Sequence, residues 1–258
     1  MASSGISLDR YVAWPIRTVK GYLPRLDSQI IQALLTYQSE NNIAGHLCEI
    51  GVHHGQLFFM LALARRPGER SLAIDLFEDD SYNLNTPHAG RSRALFENAR
   101  RLGIKLSDEE TFKTSSLDID AAAILARTTG PVRFFSVDGG HEYRHVENDL
   151  VLAERTLTND GVVAVDDFFN PYWPEVTFAA YDFLRKTPTF VPVAMTSTKM
   201  YLTPQAVAKK YAAALAQRRD LARISRIQIL GNDILVMSQG RAKKGFELLF
   251  GAIARWIS

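Results

Sequence analysis

Cysteine is nearly missing from this chain of 258 residues: Cys48 stands alone, so no internal disulfide can form and a reducing compartment is expected. A surplus of one charge is missing too. With 30 Lys and Arg against 28 Asp and Glu, the net charge is +2, and no bulk field argues for nucleic acid or an anionic membrane as partner. The opening stretch MASSGISLDRYVAWPIRTVK has charges interrupting every apolar run, unlike a secretory signal or a spanning helix. Internal repeats and low-complexity tracts are absent, so no domain boundary is drawn. Residues 1–258 read as one domain: an N-terminal helical extension (1–44), a core (45–186) and C-terminal strands with a helical insertion (187–258). What is present, 47% hydrophobic and 22% charged residues, suits one globular α/β domain. A soluble cytoplasmic protein is the expectation.

Periodicity fills in the elements. Leu26 to Asn42 predicts a helix, with Ile30, Ile31, Leu34 and Leu35 on one face and Asp27 or Ser28 as cap. An alternation follows: strands HLCEI (46–50), SLAIDLF (71–77), TFKT (111–114), VRFFSV (132–137) and GVVAV (161–165). The helical stretches between and after them are 55–66, 91–103, 118–130, 141–157 and 174–186. Five strand–helix units in series predict a doubly wound, mostly parallel sheet with helices on both faces. Residues 190–202 and 227–237 read as hairpins, the second around Gly231-Asn232, with an alanine-rich helix over 205–223 between them. They predict an antiparallel strand or hairpin at the C-terminal end.

In such sheets ligands bind beyond the carboxyl ends of the strands, where strand order reverses. The first strand ends in Glu49-Ile-Gly51-Val-His53-His54-Gly55. His53 breaks the glycine fingerprint of dinucleotide sites, and an acid at the strand end suits a ligand with an ammonium group and no phosphate. Asp75 ends the second strand, where a carboxylate can accept both hydroxyls of a ribose. Thr114-Ser115-Ser116 follows the third, with hydroxyls that suit an adenine edge or simply a turn. Asp138 ends the fourth, before Gly139-Gly140-His141, and Asp166-Asp167 ends the fifth. Three carboxylates at one edge with room for water describe a Mg²⁺ site better than a closed zinc cage.

Together these residues resemble the class I S-adenosylmethionine-dependent methyltransferases. The ordered set E-I-G-V-x-x-G, D-G-x-H-x-Y and G-V-V-x-x-D-D is similar to the metal-dependent macrocin-type sugar O-methyltransferases and their cephalosporin hydroxylase-like relatives, over roughly 45–186. The resemblance implies that Glu49, Gly51, Val52 and Gly55 line the methionine end of the cofactor. It further implies that Asp75 holds the ribose, Ser116 sits near the adenine, and Asp138 borders both cofactor and acceptor. Asp138, Asp166 and Asp167 would ligate Mg²⁺ or another divalent cation, with Asp138 and His141 as the catalytic pair. Leu57 departs from the serine that many relatives carry there. In catechol-type enzymes, the nearest alternative, the pair after strand five is usually Asp-Asn, and a lysine tends to stand near the position of His141.

Methyl transfer from a sulfonium needs a nucleophilic oxygen held in line, and a neutral alcohol is a poor nucleophile. A metal that lowers the pKa of the hydroxyl, or His141 as base, answers that need. The expected partner is a small-molecule hydroxyl acceptor, sugar or natural product, and a homo-oligomer is compatible with the sequence. The loop 77–92 and the segment Asn170-Pro-Tyr172-Trp173 are candidates to cover the acceptor. Two other classes are weighed. A nicotinamide-dependent oxidoreductase lacks both the glycine fingerprint and a Tyr-x-x-x-Lys pair, and a non-catalytic binding domain would be expected to have lost some of the acids.

Overall fold

A computed structural model describes residues 6–77 and 91–238. Nine strands form one sheet in the order β3-β2-β1-β4-β5-β7-β6-β9-β8. These are β1 (His46–Ile50), β2 (Ser71–Asp75), β3 (Thr111–Lys113), β4 (Val132–Val137), β5 (Leu157–Val165), β6 (Phe190–Met195), β7 (Met200–Pro204), β8 (Arg223–Ile229) and β9 (Asn232–Ser238). The first five run parallel. β7 is antiparallel to β5 and to β6, and the β8–β9 hairpin joins through a parallel β6–β9 pairing. The expected doubly wound sheet with C-terminal hairpins is therefore the fold. β1 has β2 on one side and β4 on the other, which makes the β1–β4 edge the topological switch point.

The helices are α1 (Leu8–Ala13), α2 (Arg25–Glu40), α3 (Phe58–Ala64), α4 (Arg91–Leu102), α5 (Ala121–Thr128), α6 (Tyr143–Thr156), α7 (Pro174–Lys186) and α8 (Gln205–Ala216). Alternate residues of the central strands feed two separate cores. Leu47, Ala73, Phe134 and Val162 meet Ile30, Leu34, Phe58 and Tyr211, while Cys48, Ile74, Phe135 and Val163 meet Ile124, Leu150 and Phe183. Burial on both faces is why these strands read as continuous apolar runs. No helix among the described residues is long and apolar enough to cross a membrane.

Several boundaries differ from the sequence reading. α2 begins at Arg25, after Pro24 and with no side-chain cap, so Asp27 and Ser28 lie inside the helix; Asp27 is buried and accepts bonds from Thr196, Thr198 and Tyr201. α5 starts at Ala121 with Asp120 as its cap, the Ala123 N–H donating at 2.8 Å. α3 starts at Phe58, and β5 begins at Leu157, ahead of the expected 161. α8 stops at Ala216, and Arg223 already opens β8.

One buried charge crosses the amino half of the sheet. Arg133, on β4, is wholly buried. It donates to Glu69 at 3.0 and 2.8 Å, to the Gln38 side chain at 2.8 Å and to the Ala64 carbonyl at 2.9 Å. Gln38 in turn donates to the Arg133 carbonyl and to Tyr211, so α2, β4 and α8 share one network. Removing one member strands the rest. Arg133→Met is expected to destabilise the fold by about 3–5 kcal/mol, the usual effect of breaking a buried pair from one side. Denaturant unfolding measures it, and a loss within 0.5 kcal/mol, the range of ordinary surface substitutions, would refute it.

Candidate active site

The strand ladders carry their register one residue past the strand ends. Gly51 N–H donates to the Ile74 carbonyl, Asp138 N–H to Ile50 and Asp166 N–H to Val137, each at 2.9–3.0 Å. Gly51, Asp138 and Asp166 therefore stand in one row at the carboxyl edge. Gly51 has φ +84, and a Cβ there would lie 1.6 Å from the Asp138 carbonyl oxygen. Only glycine fits. At Gly55 a Cβ would meet Leu95 at 2.5 Å and Phe59 at 2.7 Å, so the missing side chain serves helix packing.

Around this row the cofactor candidates take distinct positions. Glu49 is buried, and its Oε2 has no partner. Burial pushes its carboxyl well above the usual range, opposed by Lys199 and reinforced by Asp166 and Asp75. Asp75 accepts from the Val52 N–H at 2.7 Å and the His53 N–H at 2.9 Å with one oxygen, and from Phe77 at 2.8 Å with the other. Val52 itself is buried in the turn that this carboxylate draws tight. Ser116 opens a short 3-10 helix beside Asp149, a buried α6 acid that accepts from Asn148 at 3.3 Å. Leu57 is buried and lines the same cleft as Glu49 and Gly51.

The two acids after β5 part company. Asp166 Oδ2 pairs with Lys199 Nζ at 2.6 Å, and that lysine is 1% exposed. Asp167 adopts φ +55, and its Oδ2 lies 2.9 Å from His141 Nε2 while Asn170 donates to Oδ1 at 2.7 Å. Asp138 Oδ1 is 4.0 Å from the same His141 nitrogen. Trp173 stacks on the imidazole with centroids 4.5 Å apart. Burial works against ionisation of Asp167, but the bonds from His141 and Asn170 outweigh it and hold the carboxyl low. Burial and the neighbouring Asp166 push Asp138 well up, while Lys199 pulls it back.

Of the three carboxylates expected to ligate a cation, Asp138 and Asp167 lie together with His141, while Asp166 pairs with Lys199. Ligand-capable atoms of Asp138, His141 and Asp167 all lie within 4.8 Å of one another. Two carboxylates and an imidazole are suitable donors for a divalent cation.

Sequence reasoning missed Lys199, which sits in the turn before β7 with no motif around it. It also missed the segment from Lys20 to Leu23, which lines the cleft together with Glu49 and Gly51. Tyr172 is largely exposed, and Trp173 covers His141 as a flat wall. The other expected cover, the loop 77–92, falls mostly outside the described residues. His53 and His54 stack on each other at 4.2 Å.

Residues 48–168 match a family described as a methyltransferase domain. No curated protein matches the chain. Among solved structures, the O-methyltransferase NovP is 17% identical, covering 70% of this chain and 79% of its own, with a TM-score of 0.57. CalS11, described as a TDP-rhamnose 3'-O-methyltransferase, is 17% identical over 70% of this chain and 81% of its own, at 0.50. Cofactor-bound Rv0187 from MTB is 14% identical over 77% and 89%, also at 0.50. These structures share the fold. The match over residues 48–168 and the shared fold agree with the methyltransferase resemblance read from the sequence.

Two measurements probe this edge. Asp75→Ala releases the Val52 and His53 N–H groups of the glycine turn and the Phe77 N–H beyond β2, and S-adenosylmethionine affinity is expected to fall by about 1–3 kcal/mol. Unchanged affinity in calorimetry would mean that neither turn nor ribose depends on Asp75. The second concerns Asp149, which burial pushes from 3.8 up to about 7, against Ser116 and Asn148. A raised carboxyl takes up a proton on folding, so its contribution is full below the unfolded pKa and is lost as pH rises through about 7. Relative to Asp149→Asn, the unaltered protein is expected to lose stability between about pH 4 and 7 in denaturant melts. A parallel pH dependence of the two proteins would exclude it.

Proposed function

We propose that the protein transfers the methyl group of S-adenosylmethionine to a hydroxyl of a small molecule, of sugar or natural-product type. The observation that carries this reading is the convergence of Asp138, His141 and Asp167 beside the Glu49–Gly51 turn. The site offers proton acceptance and oxygen donors next to a pocket suited to a sulfonium amino acid. Asp138 and Asp167 are the residues that would hold a divalent cation, expected to be Mg²⁺ for their oxygen donors. Such an ion lowers the pKa of a bound hydroxyl.

The chain's own groups do the rest. With His141 Nε2 donating to Asp167, Nδ1 carries the lone pair that accepts the hydroxyl proton, and Asp167 stabilises the resulting imidazolium. Trp173, stacked on the ring, fixes its plane and gives the acceptor an apolar wall. The new bond joins the acceptor oxygen to the methyl carbon, and the sulfur keeps the electron pair of the bond it loses. The preference for an aliphatic hydroxyl rests on the D-G-x-H and D-D motifs, in which this chain departs from the catechol type.

Release of S-adenosylhomocysteine over a panel of hydroxyl acceptors tests the reading. Exhaustive chelation is expected to abolish turnover and Mg²⁺ to restore it. Asp167→Ala is expected to lose activity yet still bind S-adenosylmethionine, and His141→Ala to lose roughly 10²–10⁴ in rate. Full activity after chelation would remove the cation from the proposal and leave His141 as the unaided base.

A further inference from the structure

Glu49 Oε2 is a buried acceptor without a donor, and it lines the cleft. An ammonium completes it. An amino acid, however, brings a carboxylate as well, and that group also needs a partner in the cleft. Lys199 is unsuited, being 1% exposed and committed to Asp166. Another cation lines the same cleft: Lys20.

Lys20 is exposed and makes no ion pair with a described residue. Its charge acts on His53 and His54, whereas Lys199 is the cation that acts on Glu49 and Asp138. Lys20 thus lines the same cleft as Glu49, and Lys199, the other cation there, is taken by Asp166. The segment that carries Lys20 is pinned to the glycine turn. Leu23 N–H donates to Gln56 Oε1 at 3.0 Å, Gln56 Nε2 donates to the Ile16 carbonyl at 3.1 Å, and Tyr11 donates to the Gln56 carbonyl at 2.9 Å. At Gly21 a Cβ would lie 2.4 Å from Gln56 Oε1, so the backbone can lie this close only without a side chain. Tyr22 rests its ring 5.9 Å from that of His53.

We propose that Lys20 binds the α-carboxylate of the methionyl part of S-adenosylmethionine while Glu49 takes its α-ammonium, which makes the N-terminal segment a working part of the cofactor site. This rests on the methyl-donor reading above. The pairing fixes the zwitterion at both ends and so sets how far the sulfonium reaches toward Asp138 and His141. A partly exposed charge pair of this kind is worth up to about a fivefold change in affinity.

Calorimetry with S-adenosylmethionine and with its decarboxylated analogue tests it on the full chain. Lys20→Ala is expected to weaken S-adenosylmethionine by about two- to fivefold, to leave the decarboxylated analogue unchanged, and to be rescued by Lys20→Arg. Unchanged affinity for S-adenosylmethionine would overturn the assignment. So would an equal loss for both ligands, which would mark Lys20 as a support of the segment. Failure of the unaltered protein to bind S-adenosylmethionine would instead bring down the methyl-donor reading and this one with it, so the two failures are distinct.

Discussion

A buried ammonium makes the acidic edge of this sheet possible. Asp27, Glu49, Asp138 and Asp166 all act on Lys199 or are acted on by it, and its Nζ sits 2.6 Å from Asp166. Burial alone would strip the lysine of its proton; Asp166, Asp138 and Asp27 reverse that and keep it charged. The ammonium offsets part of the cost of burying these carboxylates, which burial still holds above their usual range. A buried ion pair is weak evidence for stability in itself. Here it specifies position: the β6–β7 turn docks where its one cation meets the acids, and Asp27 secures it through Thr196, Thr198 and Tyr201.

The same pair decides what the end of β5 can do. Side chains of adjacent strand residues point to opposite faces, so two neighbouring acids cannot share one ion while the strand stays regular. The chain leaves the strand with φ +55 at Asp167, and the Phe168 N–H donates to the Thr198 carbonyl at 3.1 Å in the hairpin turn. Asp167 is then free to face His141 while Asp166 stays with Lys199. An aspartate in the left-handed region tolerates this better than most residues. The different partners of the two acids are thus a backbone property, and the arrangement of Asp167 with His141 inherits it.

How far this was legible in the sequence depends on the range of the interaction. Alternation of apolar runs and helical stretches is local, so the parallel core, both C-terminal hairpins and the strand-end acids could be read directly. Asp27 read as a helix cap because a cap is the local use of an aspartate at a helix start; its partners lie on β7 and in the turn before it. Lys199, in the stretch Thr196-Ser-Thr-Lys-Met200, carries no pattern that separates it from a solvated turn lysine. Arg133 hid likewise inside VRFFSV, where its partners Glu69 and Gln38 come from elements far away in sequence.

α2 ties these distant contacts together. Its apolar face, with Ile30, Ile31, Leu34 and Leu35 fully buried, supplies adhesion of roughly 1.5–3 kcal/mol per side chain but little orientation. Orientation comes from a polar group near each end: Asp27 under the β6–β7 turn, and Gln38 against Arg133 and Tyr211. Buried hydrogen bonds leave unsatisfied atoms if the helix slides, so two of them fix its axial position where apolar packing alone would tolerate a shift. The segment from Lys20 to Leu23 leads directly into α2 through Pro24, whose fixed φ limits its swing. The placement of Lys20 over the cofactor turn is therefore set from both sides, by Gln56 at the turn and by a helix that the sheet's own buried charges hold in place.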